Sequence, residues 1–511
     1  MIIRLCLLLE ASGVCSAAWV LARYQKLFLR IQPDEVYLEG AECHTSSPAN
    51  KREKDIDVTV TVVKYVYSTA LLLFSIVLVM ASIFSQQTKL SSSAPPLVAF
   101  FLFWFLLLWL AMIEGGQGCL VGLQPVNKDL YVDTHRVTHK CTTIAHKGDN
   151  MERFIVGRQF LVVLIVFTTN MCGAANPGAE VLGLPSGVTA VFLGSGLAMI
   201  LTTIIMGQLT AQVNAANCML DFINTYFMLF STYVSLGIEF SGLLHSVYLV
   251  QYFFSMITGQ PVQSKEPPRS GLQNVFFWAR VAMSLAALGY AFAVTLAALF
   301  QGKTTMWAGV PEAVSVIVFF VLMCFVGLME GMQIALFAVV NMPKEKLESA
   351  KVAKANCELT FSGQNFQAFL IGRQICVTIC MFVVARITTL NVTDGETIFG
   401  VSQGVQNFFN TGLLGALITT IVGSLAWRII ASSFPLAFMS NPLVYVIIRL
   451  CLTLEATGIC SAAWLFALFH KKFAGFQVDE VYLGSAEAEQ QEARKVAAGD
   501  DFELSAVEIE A

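Results

Sequence analysis

The sequence predicts an all-α polytopic membrane protein built from two inverted-topology repeats of five transmembrane helices, plus an extra N-terminal helix segment. Three observations carry this. Of the 511 residues, 56% are hydrophobic and 13% are charged, about half the charged share of a soluble domain. Apolar stretches recur that are long enough, at 1.5 Å per residue, to cross ~30 Å of hydrocarbon. Finally, the chain repeats itself: Glu114-Gly115-Gly116-Gln117 returns 216 residues later as Glu330-Gly331-Met332-Gln333. A repeat of five spans is odd, so its two copies would sit in the membrane with opposite orientation.

Taken in order, the spans are expected at 59–85, 96–124, 153–173, 188–212, 222–252, 275–300, 312–341, 368–388, 404–429 and 441–470. Each must be helical, because unpaired backbone groups find no water in lipid. Prolines such as Pro95, Pro96, Pro177, Pro311 and Pro442 mark ends. The first repeat then covers 59–252 and the second 275–471, joined by a loop at 253–274. Residues 472–511 form an acidic tail, so the net charge of −4 says little about the core. Residues 1–58 comprise a polar linker and a duplicated piece. Residues 2–38 match 447–483 without a gap, sharing IIRLCL, LEA, CSAAW and DEVYL, as if this unit began in the tail of a previous copy of a tandem array. No basic segment followed by a cleavage site opens the chain, so no secretory signal peptide is expected. The 13 cysteines lie mostly inside apolar stretches, a pattern of membrane packing rather than of a disulfide framework. The bias of lysine and arginine, led by Lys51, Arg52, Lys54, Lys128, Arg136, Lys140 and Lys147, puts the core termini in the cytoplasm.

The register extends beyond one motif. Phe154-Ile155-Val156-Gly157-Arg158-Gln159 returns as Phe369-Leu370-Ile371-Gly372-Arg373-Gln374. Ionisable groups inside spans are costly and mark functional sites by default. Glu114 and Gln117 share a helix face, as do Glu330 and Gln333. Arg158 and Gln159 are about 100° apart on a helix, so they are expected to point differently, with Arg158 turned to Glu114 and Gln159 to a cavity. Gly115, Gly157, Gly331 and Gly372 let helices or a solute come close. An amide donates and accepts while a carboxylate only accepts; together they suit a small neutral solute covered in hydroxyls. The competing reading is that Glu114–Arg158 and Glu330–Arg373 are buried ion pairs that fix helix packing.

Glu239 and Glu455 are mid-span carboxylates at matching positions, each with Ser or Thr two residues on and Gly three residues on. Asp221, in Cys218-Met219-Leu220-Asp221, is present only in the first half. All three are candidates for a coupling ion, with helix packing or, for Asp221, an N-cap as the alternative. His135, His139, Cys141 and His146 have a spacing that permits zinc, but the second half keeps only the cysteine, so no metal site is expected. No P-loop is present, and no nucleophile–base set suggests an enzyme.

These motifs, EGxQ at 114–117 and 330–333, GRQ at 157–159 and 372–374, and CMLD at 218–221, resemble those of the silicon (silicic acid) transporters of diatoms. The resemblance spans about 59–483. It implies a sodium-coupled carrier of orthosilicic acid in the plasma membrane or an intracellular vesicle membrane, with cytoplasmic termini, no cofactor beyond sodium as coupling ion, and no nucleic-acid partner. It places the substrate site at Glu114, Gly115, Gln117, Gly157, Arg158, Gln159, Glu330, Gly331, Gln333, Gly372, Arg373 and Gln374. The duplicated N-terminal segment and the short acidic tail depart from the family. A passive channel, or a carrier for another small hydroxylated solute, is the alternative function.

Overall fold

Helices account for nearly all the regular structure of the computed structural model. It describes residues 48–482, except 93, 177, 259–265, 308, 341–346, 348–349, 363–364, 394 and 480. The duplicated segment at 1–42 and the tail beyond 482 lie outside the described residues. The first half contains α1 (Pro48–Phe84), α2 (Pro96–Gly122), α3 (Arg136–Ala145), α4 (Asn150–Gly173), α5 (Leu197–Asn217), α6 (Met219–Phe222), α7 (Tyr226–Phe240) and α8 (Val247–Thr258). The second half follows in the same order: α9 (Gly271–Phe300), α10 (Glu312–Val340), α11 (Lys351–Phe361), α12 (Asn365–Thr388), α13 (Leu413–Ser433), α14 (Pro435–Met439), α15 (Pro442–Ala456) and α16 (Ala462–Ala474). Pro96 opens α2 and Pro442 opens α15 at the first turn, where a missing N–H is harmless.

Among the described residues, eight helices are long and apolar enough to cross a membrane: α1, α2, α4, α5, α9, α10, α12 and α13. The protein is therefore a multi-pass membrane protein. The stretches 222–252 and 441–470 are not the continuous helices expected. Each is broken, α7 from α8 at Gly242 and α15 from α16 at Gly458, where φ is +83° and +71°. Left-handed backbone of this kind suits glycine and ends a right-handed helix. The fourth and ninth spans also begin later than 188 and 404. Gly196 and Gly412, at φ +82° and +80°, interrupt the chain just before α5 and α13.

The repeat extends to individual hydrogen bonds. Ser284 Oγ donates to the Leu243 carbonyl at 2.6 Å and accepts from the Ser246 N–H at 3.0 Å. Ser68 Oγ donates to the Ile459 carbonyl at 2.7 Å and accepts from the Ala462 N–H at 2.9 Å. The stem of Arg280 packs over Gly242, and that of Lys64 over Gly458. So the helix that opens one half braces the broken helix that closes the other. Asn150 and Asn365 each donate to a carbonyl six residues back, at 2.9 Å in both cases, tying α3 to α4 and α11 to α12.

The chain divides into two contact units, and both draw on both halves. One comprises Met1–Phe74, Ile317–Val384 and Val422–Ala462; the other comprises Ser75–Val316, Ala385–Ile421 and Ala463–Ala511. Within the second unit, α4 packs against α2 and α7. Its membrane-length window is 72% buried against 33% for α2, which makes α4 a central helix; α12 has the same 72%.

Two glycines carry these central contacts. A Cβ on Gly157 would lie 1.8 Å from the Ser235 carbonyl oxygen of α7, and one on Gly372 would lie 1.9 Å from that of Cys451 on α15. Both clashes are with backbone, so the helices themselves would have to part. Gly157→Ala and Gly372→Ala should each cost about 1–3 kcal/mol, read as a lower unfolding temperature in detergent. Gly118→Ala, whose Cβ meets nothing within 4 Å, should leave it unchanged.

Candidate functional site

The duplicated motifs build two clusters of the same plan, one in each contact unit. In the first, α2 presents Glu114 and α4 presents Arg158 and Gln159. Arg158 Nη2 meets Glu114 Oε2 at 2.6 Å, with both side chains almost fully buried. Arg158 Nη1 donates to Gln159 Oε1 at 2.9 Å. Neighbouring residues therefore converge rather than diverge as expected, because the guanidinium is long enough to reach back to the next side chain. Gln159 is not left to face a cavity on its own. From α5, Gln212 Nε2 donates to the same oxygen, Glu114 Oε2, at 3.2 Å.

The second cluster repeats this with α10, α12 and α13. Arg373 Nη2 donates to Gln374 Oε1 at 3.0 Å, and Arg373 Nη1 lies 3.5 Å from Glu330 Oε1. The closer partner of Glu330 is Arg428, whose Nε donates to Oε2 at 3.0 Å and whose Nη2 donates to the same oxygen. Arg428 stands 216 residues after Gln212, so the two occupy the same position in the repeat. Both follow a π-helical turn, at Ile205–Leu209 and Thr419–Leu425, which rotates the residues after it. Sequence reasoning missed Gln212 and Arg428. The signal that would have found them is the 216-residue register applied along the whole half rather than at the motifs alone.

The other motif residues fall at close helix contacts or beside them. Cβ atoms at Gly115 and Gly331 would meet the rings of Phe222 and Phe438, each at 2.5 Å. These rings come from α6 and α14, so the short CMLD helix and its counterpart close over the EGxQ motifs. Gln117 and Gln333 lie one turn on from the glutamates. Both are half-buried, and neither side chain has a hydrogen-bond partner among the described residues. They are the amides left available at each cluster.

The three other carboxylates are placed differently from one another. Glu239, at the end of α7, accepts from Tyr248 Oη at 2.9 Å, and His245 Nε2 lies 3.7 Å away. Glu455, at the end of α15, feels the charge of Lys64. Asp221 is neither a helix N-cap nor a member of the clusters. Its Oδ1 pairs with His135 Nε2 at 3.1 Å and its Oδ2 accepts from the Gln477 N–H at 2.7 Å. The N-terminus of α6 is capped instead by Asp479, which accepts from the N–H groups of Met219 and Leu220 at 2.9 and 3.0 Å. Tyr482 meets the His135 ring edge-on, with ring centroids 4.5 Å apart. The chain after α16 is thus a strap held on the CMLD helix. His135, Cys141 and His146 turn to different partners, His146 to the Leu120 carbonyl at 2.8 Å. Among the described residues, no group of three or more such side chains could hold a metal.

The family model of the silicon transporters matches residues 1–59 and again 55–506. The chain belongs to the silicon transporter family. Membership implies silicic acid transport across a membrane, in keeping with the eight candidate spans. No curated protein and no solved structure matches.

The strap should be sensitive to pH. Burial, assisted by the nearby Asp221, raises the Asp479 carboxyl above its ordinary value against the pull of its two backbone N–H bonds. Its contribution to docking is then full below the ordinary aspartate value of about 3.9 and is lost as pH rises through the raised value. Limited proteolysis after Lys471 or Lys472 should speed up across that window, and Asp479→Asn should flatten the dependence. A wild-type profile independent of pH would contradict this account.

Proposed function

We propose that the chain is a sodium-coupled symporter that imports orthosilicic acid by alternating access, with two solute-binding clusters, Glu114, Arg158 and Gln159 in one contact unit and Glu330, Arg373 and Gln374 in the other. One observation carries the reading. Two Glu–Arg–Gln clusters stand at matching positions of the two halves, and beside each an amide, Gln117 or Gln333, has no hydrogen-bond partner among the described residues. Orthosilicic acid is small and tetrahedral, and it bears four hydroxyls that both donate and accept. A free amide beside a braced carboxylate complements it. In this reading Gly115, Gly157, Gly331 and Gly372 serve by bringing helices into contact around the site rather than by touching the solute.

Inverted repeats with sites near the bilayer midplane and broken helices at ion sites are the common plan of secondary carriers. The breaks at Gly242 and Gly458 suit it, since unwound carbonyls at such breaks hold sodium in carriers of this type. Glu239 and Glu455 lie three residues before those breaks and are the preferred coupling-ion residues. Asp221, committed to His135 and the strap, is the weaker choice. If each broken pair counts as one crossing, each half crosses five times, and the halves would be inverted with both core termini in the cytoplasm. The plasma membrane suits import.

The test is uptake of silicic acid, or its germanium analogue, into liposomes holding the purified protein, with and without an inward sodium gradient. Accumulation driven by the gradient is expected. Equilibration indifferent to sodium would instead make the protein a passive channel and remove the coupling role of Glu239 and Glu455.

Gln117→Ala and Gln333→Ala should each raise the concentration of solute needed for half-maximal uptake about 3- to 10-fold, the range set by one lost hydrogen bond. Expression and unfolding temperature should be unchanged. Loss of folding in both variants would return these residues to a structural role.

A further inference from the structure

The two clusters share a plan but not a charge. Glu114 and Arg158 cancel, and Gln212 adds a neutral amide. In the other cluster one carboxylate, Glu330, faces two guanidiniums, Arg373 and Arg428. An arginine does not lose its proton in a protein, so this cluster keeps one uncompensated positive charge. It is deeply buried, with Arg373 and Arg428 exposed by 5% and 8%. Of the other carboxylates described in this unit, Glu358 lies 3.9 Å from Lys354, and Glu455 sits at the far end of α15 within the field of Lys64. Arg428 Nη1, Arg373 Nη1 and Arg373 Nε are buried and lack a hydrogen-bond acceptor among the described residues. A buried cation is tolerated when it is paired and its donors are used. Here one carboxylate is shared by two cations, and three of their buried donors are unused among the described residues.

We propose that Arg428 and Arg373 form a binding site for one small monoanion, and that the first cluster, with Gln212 in place of Arg428, does not. The anion supplies the missing charge and accepts the idle N–H groups. Two sources share this chemistry. One is chloride, bound beside the solute; the other is the solute itself with one hydroxyl deprotonated. A guanidinium pair stabilises either, and would draw a weak acid toward its conjugate base. The inference rests on the reading of the clusters as a solute site only for the second source.

The experiment measures thermal unfolding of the purified full-length protein in detergent at constant sodium and ionic strength. One arm replaces gluconate by chloride. The other adds orthogermanic acid in chloride-free buffer at pH 7 and at pH 9. Wild type should show a saturable rise on the order of 2 °C, and Arg428→Gln, which copies the first cluster, should lose it. Gln212→Arg, which copies the second cluster, should gain a second saturable response.

A rise with chloride alone identifies chloride as the anion. A rise with germanic acid that grows at pH 9 and is competed by chloride identifies the deprotonated solute. If neither anion separates wild type from Arg428→Gln, the proposal is wrong and Arg373–Glu330–Arg428 is a packing triad. If Arg428→Gln does not fold, an identical response of wild type and Gln212→Arg overturns the proposal just as well. Parallel uptake in sealed vesicles keeps the two readings apart. Anion-dependent stabilisation without uptake would defeat the transport reading alone, and uptake without any anion response would defeat this inference alone.

Discussion

A charge inside a bilayer must find a partner within the protein, and the Glu114–Arg158 pair is how this chain meets that demand. An isolated carboxylate or guanidinium at membrane depth is costly enough that neither residue would persist there alone. Pairing them ties α2 to α4 at one place in the first half, and Glu330 ties α10 to α12 and α13 in the second. The glycines follow from this. Short ion pairs require helices to approach closely, and Gly115 and Gly157 sit where a methyl group would strike Phe222 or the Ser235 carbonyl.

The helix breaks form the second level of organisation. A helix broken at membrane depth must not expose unpaired backbone groups to lipid. The breaks at Gly242 and Gly458 are held by Ser284 and Ser68, whose hydroxyls both donate to and accept from the interrupted backbone. That these bonds recur with a serine from the opposite half shows that the two copies are interlocked. Neither contact unit is a copy of the sequence repeat. The asymmetries stand out against this regular frame: Gln212 against Arg428, and Asp221 with its strap against Ala437. They are the places where the chemistry of the two halves differs.

Much of this was legible in the chain. Composition announced the membrane, since a helix that buries its own backbone bonds is free to be apolar all round. The 216-residue register found the repeat, and intramembrane charges at fixed spacing found Glu114, Arg158, Glu330 and Arg373, because lipid makes such residues rare. The breaks at Gly242 and Gly458 were hidden inside long apolar runs. A glycine in a transmembrane run reads equally well as a packing residue and as a left-handed turn, and only the backbone angle separates them. The mutual bond of Arg158 and Gln159 was hidden for a related reason. Helical geometry sets where a Cβ points, not where the end of a long side chain arrives.

The sequence by itself determined the membrane class, the doubling and the charged pairs, because each depends on residue type and spacing along one helix. Tertiary structure alone decided which groups meet across helices. It brought Gln212 and Arg428 to the glutamates and Asp479 to the N-terminus of α6. It also committed Asp221 to His135 and to the chain after α16. Those contacts join residues from about 90 to 260 positions apart. Their partners are set by how the helices pack, which the spacing within any one helix does not encode.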